Sequence, residues 1–109
     1  MKRETKGWIK IAIEDLQSAE YLYERELFRM VCYHAQQAVE KILKAVLTEE
    51  KIEFSRIHNL LDLRNAVKVS GYDVPLLDEE AIFLNSVYRA RYPADIGLLP
   101  TGEPTKAVC

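Results

Sequence analysis

Six side chains of this sequence have the chemistry to bind a phosphate group or to transfer a proton. Arg89 and Arg91 stand beside Tyr92, and guanidinium groups bind phosphate oxygens in bidentate hydrogen bonds while an aromatic ring can stack on a base. An arginine of this segment could instead form a salt bridge with Asp15 or Asp95, with Tyr92 simply packed. The complete candidate set for a nucleotide or phosphate ligand is Asp15, His34, Lys41, Arg89, Arg91 and Tyr92.

The two histidines of the chain each have a structural alternative to a functional role. His34 borders the apolar and polar arcs of a predicted helix, so it either makes one structural hydrogen bond at the edge of the core or contributes to a polar site. His58 lies at a predicted helix start, where capping or local packing is the simpler interpretation. No second His, Cys or carboxylate stands at metal-ligand spacing, and no glycine-rich phosphate loop is present. We therefore predict no metal site and no cofactor.

The elements that must position these residues are helices, and the central one covers residues 31–47. Its apolar residues recur at about 100° per residue and occupy roughly half of the circumference or more. Such a helix needs neighbours on more than one side, which predicts an all-α bundle with this helix at its centre. The polar strip that contains Gln37 and Lys41 is where function could lie.

A first helix is predicted to run from an N-cap at Thr5 to about Arg25. Asp15 falls on its apolar stripe, and a carboxylate on a buried face needs hydrogen-bond or charge partners. Asp15 therefore either pairs with a neighbouring helix to satisfy itself or belongs to a polar site lined by several helices. The apolar residues of this stripe are Trp8, Ile9, Ala12, Leu16, Ala19, Leu22 and Tyr23.

The remaining elements follow from turn signals. A tight turn near residues 24–27 makes the first two helices antiparallel neighbours. A third helix opens near residue 58 and stops at Gly71, and a fourth follows Pro75. Residues 103–109 resemble the first turn of a last helix that is short or truncated, so we expect four or five helices in a single domain over residues 1–109.

The composition limits the classes of function. A net charge of -2 and a pI near 5.7 give no global basic field, which disfavours a general nucleic-acid coating role. Two cysteines make no disulfide framework, and neither an apolar leader nor a membrane-spanning run is visible. We therefore expect a reduced protein of the cytoplasm that does not interact with a membrane.

The order of motifs resembles that of the HEPN domain family. Residues 33–41, with the sequence Tyr-His-Ala-Gln-Gln-Ala-Val-Glu-Lys, resemble the family's signature helix, and Leu43, Lys44 and Ala45 continue it. Trp8, Ala12, Asp15, Leu16 and Ala19 resemble its first helix. His58-Asn59-Leu60 resembles its His-x-Leu helix start, and residues 88–93 its Arg-Tyr-Pro segment. The resemblance extends from about Trp8 to Pro93.

This resemblance implies an antiparallel, up-and-down bundle of four to five helices that dimerises. Small members of the family are commonly paired with a minimal nucleotidyltransferase chain, and some resemble the substrate-binding half of such an enzyme. Others are metal-independent ribonucleases that act as toxins and carry an Arg followed a few residues later by a His. No His follows Arg91 in this chain, which disfavours that activity because the His would be the proton-transfer group near neutral pH.

Three hypotheses follow. In the first, which we favour, the chain is a non-catalytic subunit that dimerises, binds a nucleotide or substrate and partners a nucleotidyltransferase, possibly in a toxin–antitoxin pair. In the second it is a ribonuclease in which His34 replaces the missing His and RNA is the substrate. In the third it is an interaction module with no ligand.

Overall fold

The computed structural model describes residues 1–57 and 59–90, with side chains described through residue 86. Within this part the chain forms four α-helices and no strand, which confirms the predicted all-α bundle. The candidate last helix at residues 103–109 lies outside the described residues. The helices are α1 Arg3–Glu24, α2 Phe28–Glu49, α3 Leu60–Val69 and α4 Asp78–Ala90.

Helix α2 lies at the centre of the bundle, as its broad apolar arc predicts. The other three described helices all contact it. The main core lies where α2 meets α3 and α4, because leucines of α2 pack there against the apolar face of α3 and a small residue of α4. The buried residues of this core are Leu43, Leu47, Leu60, Leu63, Val67 and Ala81.

Helices α1 and α2 form an antiparallel hairpin. The turn between them contains Glu26 at a φ of 60°, and the Leu27 amide donates to the Leu22 carbonyl. At the other end, the Lys2 amide donates to Glu49 Oε1 at 3.0 Å, and Thr5 Oγ1 donates to the same oxygen at 2.9 Å. The prediction of Thr5 as N-cap is wrong. The N-cap is Lys2, and Thr5 lies inside α1, 2% exposed, because its hydroxyl binds a carboxylate of α2.

Two polar contacts hold α3 against α4. The guanidinium of Arg64, which is 6% exposed, donates to the Leu76 carbonyl at 2.7 Å and to the carboxylate of Asp78. At the other end, Asn85 Oδ1 accepts the Leu60 amide at 2.9 Å. A second amide at the start of α3 is capped by Asn59, the N-cap residue. These contacts fix how α4 lies along α3.

Leu16 departs from the predicted stripe of α1. Ala12 and Ala19 are buried against α2 as expected, but Leu16 is 47% exposed. Among the described helices, α1 contacts α2 only, so the apolar arc of α1 is wider than the surface that α2 covers.

Cys32 lies in a small second cluster of the core. It is 2% exposed in α2 beside Tyr33 and Phe83. The other cysteine of the chain, Cys109, lies outside the described residues, so the expectation of reduced cysteines stays a prediction.

Candidate functional site

The centre of the candidate site is a contact between α1 and α2. His34 Nδ1 lies 2.9 Å from Asp15 Oδ1, with the side chains 23% and 16% exposed. A carboxylate only accepts hydrogen bonds, so Nδ1 carries the hydrogen whether the imidazole is neutral or charged. The bond therefore sets the neutral tautomer and leaves Nε2 as the nitrogen that can take up a proton or bind a ligand atom.

His34 also lines an open groove of about 490 Å³ on the surface of α1. The groove has a mixed lining, because carboxylate, amide and hydroxyl groups stand beside an aromatic ring and a leucine. Tyr21 is 60% exposed, and Arg25 lies 5.4 Å from the centre of its ring and donates to its hydroxyl at 3.2 Å. The lining residues are Glu14, Gln17, Ser18, Tyr21, Leu22 and His34.

Most of this lining was not predicted from the sequence. Glu14, Gln17, Ser18 and Tyr21 are not among the six candidate ligand residues. Their spacing of three, four and seven residues from Glu14 is that of a single stripe on an α-helix, so the pattern was present in the sequence. These residues are mostly polar, as on any helix face in contact with water. Only the position of His34 beside them distinguishes the stripe as part of a groove.

Lys41 lies on the same strip of α2 as His34 but outside the groove lining. Its ammonium donates to Gln37 Oε1 at 2.6 Å, and Gln37 in turn donates to Gln36 Oε1 at 2.6 Å. Seven helical residues separate Lys41 from His34, which corresponds to about 10 Å along the axis. The structure therefore brings Asp15 and His34 together and places Lys41 about two turns away.

The other sequence-predicted residues cannot be placed relative to this groove. Arg89 belongs to α4, whose side chains are described only as far as Ser86. Arg91, Tyr92 and His58 lie outside the described residues.

Two classes of site were tested on the part of the chain that the structure describes. No cluster of three or more His, Cys, Asp or Glu side chains there could hold a metal ion. None of the described helices is both long enough and apolar enough to cross a bilayer.

Comparison with known proteins identifies the family. The sequence profile of the HEPN domain matches residues 5–105, which is most of the chain. The chain belongs to the HEPN domain family. Comparisons with curated proteins and with solved structures found no match. The four described helices and the central position of the signature helix, α2, agree with this membership.

Within this HEPN domain, the chemistry of the groove is that of recognition with one group able to transfer a proton. Tyr21 offers a ring for stacking, and Gln17 and Ser18 offer donors and acceptors for a polar ring edge. His34, oriented by Asp15, can accept or donate at Nε2. These groups can form hydrogen bonds with a polar ligand at the surface of the domain.

Proposed function

We propose that this HEPN protein is a non-catalytic subunit that dimerises, binds a nucleotide or nucleotide-like substrate and partners a minimal nucleotidyltransferase chain, in the manner of a toxin–antitoxin pair. The observation that carries the proposal is the Asp15–His34 bond at the edge of a polar groove. It places two of the six candidate ligand residues in contact, from different helices, within a domain of the right family.

The charges around the groove indicate which parts of a nucleotide this chain would contact and which groups the partner chain would supply. The groove contains Glu14 and lies beside Asp15, so its charges suit the base or sugar of a nucleotide better than its phosphates. The phosphates would need cations, for which Lys41, Arg89 and Arg91 remain the proposed contributors. Tyr92 remains the proposed ring for stacking on the base. The partner chain would supply the carboxylates that bind catalytic metal ions.

The partner is tested by a pull-down of the tagged chain from a lysate of its native source, followed by mass spectrometry. Recovery of a small nucleotidyltransferase in stoichiometric amount supports the proposal. Recovery of the bait alone contradicts the partner assignment.

Ligand binding is tested separately by thermal unfolding with ATP, GTP, CTP and UTP. A nucleotide at about one hundred times its Kd stabilises the folded protein by about 2.7 kcal/mol. Asp15→Asn should abolish that stabilisation, and Asp73→Asn, which changes an exposed carboxylate between α3 and α4, should preserve it. A wild-type melting temperature that no nucleotide changes would support the ligand-free interaction module.

A second candidate, a metal-independent ribonuclease, is favoured by the orientation of His34. A carboxylate that holds an imidazole in one tautomer is the arrangement of a general base, and His34 is the described residue able to take the role of the missing motif His. Incubation of RNA with the wild-type protein, His34→Gln and Arg91→Ala decides this point. Cleavage that both substitutions abolish establishes the ribonuclease, whereas intact RNA with the wild-type protein rejects it.

A further inference from the structure

Helix α1 carries a second regular surface besides the one that α2 covers. Five residues follow one another at alternating spacings of three and four, the spacing of a helix that packs against another helix. They lie about a quarter-turn around the helix from Ala12 and Ala19, which face α2. These five residues, which we name the α1 seam, are Lys6, Ile9, Ile13, Leu16 and Glu20.

The seam is apolar at its centre and charged at its ends. Ile13 is 49% exposed and Leu16 is 47% exposed, although both are large apolar side chains. Lys6 and Glu20 are exposed, and neither has an ion-pair partner among the described residues. A helix face of this kind exposes apolar surface to water between two opposite charges, which is typical of a contact surface.

Helix α2 extends the apolar centre of the seam. The hairpin register pairs Lys2 with Glu49, and continuing it along both helices places Ile42 beside Ile9. Ile42 is 41% exposed. The apolar surface therefore extends over both helices of the hairpin.

The charges identify the partner as a second copy of the chain in one orientation. Lys6 precedes Ile13 by seven residues, and Glu20 follows it by seven. A two-fold axis through Ile13 therefore places each Lys6 opposite the Glu20 of the other copy. Two parallel copies would instead align Lys6 with Lys6 and Glu20 with Glu20, which is electrostatically unfavourable. An isologous contact requires such a self-complementary pattern.

We propose that two copies of this protein associate through the α1 seam, with their α1 helices antiparallel and Ile13 at the two-fold axis. The inference rests on the dimerisation in the proposed function and names the surface responsible for it. Of the groove lining, Glu14, Ser18 and Tyr21 lie a quarter-turn or more around α1 from the centre of the seam, and Gln17 lies at the edge of the seam, one turn from Ile13.

The first test compares two substitutions on α1 by sedimentation equilibrium of the full chain. Ile13→Glu puts a charge at the axis and should raise the dimer dissociation constant at least about tenfold. Ile11→Glu is the matched control, because Ile11 is 43% exposed on the other side of α1. It should leave the dissociation constant unchanged. Circular dichroism of both variants checks that each retains the helical fold.

The second test exchanges the terminal charges and determines the orientation. Lys6→Glu and Glu20→Lys should each weaken the dimer, because each places like charges opposite one another. The double variant restores opposite charges in the antiparallel dimer and should recover the wild-type dissociation constant. In a parallel dimer residues 6 and 20 each face the same residue of the other copy, so like charges are opposed in the wild-type protein and in every variant, and neither single substitution would weaken the dimer. The two single variants should form a heterodimer when mixed.

Three results would overturn the proposal: a monomeric wild-type protein, a dimer that Ile13→Glu does not weaken, and a double variant that does not recover. All three are independent of the pull-down, so loss of the nucleotidyltransferase partner and loss of this interface are distinguishable outcomes.

Discussion

His34 Nδ1 and Asp15 Oδ1 lie 2.9 Å apart across the contact between α1 and α2. This bond explains how the apolar stripe of α1 tolerates a carboxylate that is 16% exposed in its side chain. The partner comes from the signature helix, so the two helices are joined by a polar contact as well as by packing. The bond agrees with the first alternative for Asp15, pairing with a neighbouring helix, whereas its membership of a ligand site stays a prediction.

The pair predicts unequal costs for single and double substitutions. His34→Leu leaves the Asp15 carboxylate partly buried without its partner and should lower the free energy of unfolding by about 1–3 kcal/mol. Asp15→Leu combined with His34→Leu removes both polar groups and should cost less than the single His34→Leu change. Urea unfolding of the wild-type protein, both single variants and the double variant measures the coupling. Strictly additive losses would contradict an energetic role for the bond.

Substitutions of Arg64 and of Asp78 should lower the stability by different amounts, because the Arg64 guanidinium is buried while the Asp78 side chain is 68% exposed. Arg64→Lys keeps the charge but cannot reach the Leu76 carbonyl and Asp78 with a planar fork, so it should destabilise the protein by about 1–3 kcal/mol. Asp78→Asn retains an acceptor oxygen and should cost less than about 1 kcal/mol. Urea unfolding measures the loss of stability in each variant. Equal losses would show that the hydrogen bond from Arg64 to the Leu76 carbonyl adds no stability beyond the ion pair with Asp78.

The sequence predicts the helices of this structure but not all of the contacts between them. The four helices were predicted from apolar periodicity and turn residues. A helix that buries one face needs apolar residues at helical spacing, and that spacing is visible in the sequence. Arg64 was missed since an arginine on a short helix normally faces solvent, and its acceptor at Leu76 is a backbone carbonyl that no side-chain pattern reveals. Leu16 was expected to be buried because periodicity defines an apolar arc without stating how many neighbours cover it. Asp15 and His34 were identified singly, whereas their pairing depends on the hairpin register.

Glu49 predicts a pH dependence at the open end of the hairpin. The pKa of its carboxyl lies below the usual 4.5, first because the Lys2 amide donates to it and second because the Thr5 hydroxyl does. The folded state therefore binds this proton more weakly than the unfolded chain. The resulting stabilisation is present above the unfolded pKa and is lost as the pH falls through the folded pKa.

Glu49→Gln should accordingly lose less stability than the wild-type protein when the pH is lowered from about 6 to about 3. The amide keeps an acceptor oxygen for Lys2 and Thr5 but has no proton to take up. Glu26→Gln, in the exposed turn at the other end of the hairpin, is the matched control and should follow the wild-type curve. Urea unfolding across the pH range measures all three proteins, and parallel curves for Glu49→Gln and the wild-type protein would reject the linkage.

Substitution by alanine should change the stability in opposite directions at Gly7 and at Gly71. A Cβ at Gly7 or at Gly71 would meet no atom within 4 Å, so neither substitution is opposed by packing. Gly7 lies inside α1, where alanine should stabilise the helix by about 0.5–1 kcal/mol and raise the Tm by roughly 2–8 °C. Gly71 follows α3 with a φ of +106°, a conformation that strains any residue with a Cβ, so alanine there should cost about 1 kcal/mol or more. Thermal unfolding followed by circular dichroism measures both, and shifts of the same sign would mean that backbone conformation does not control the response.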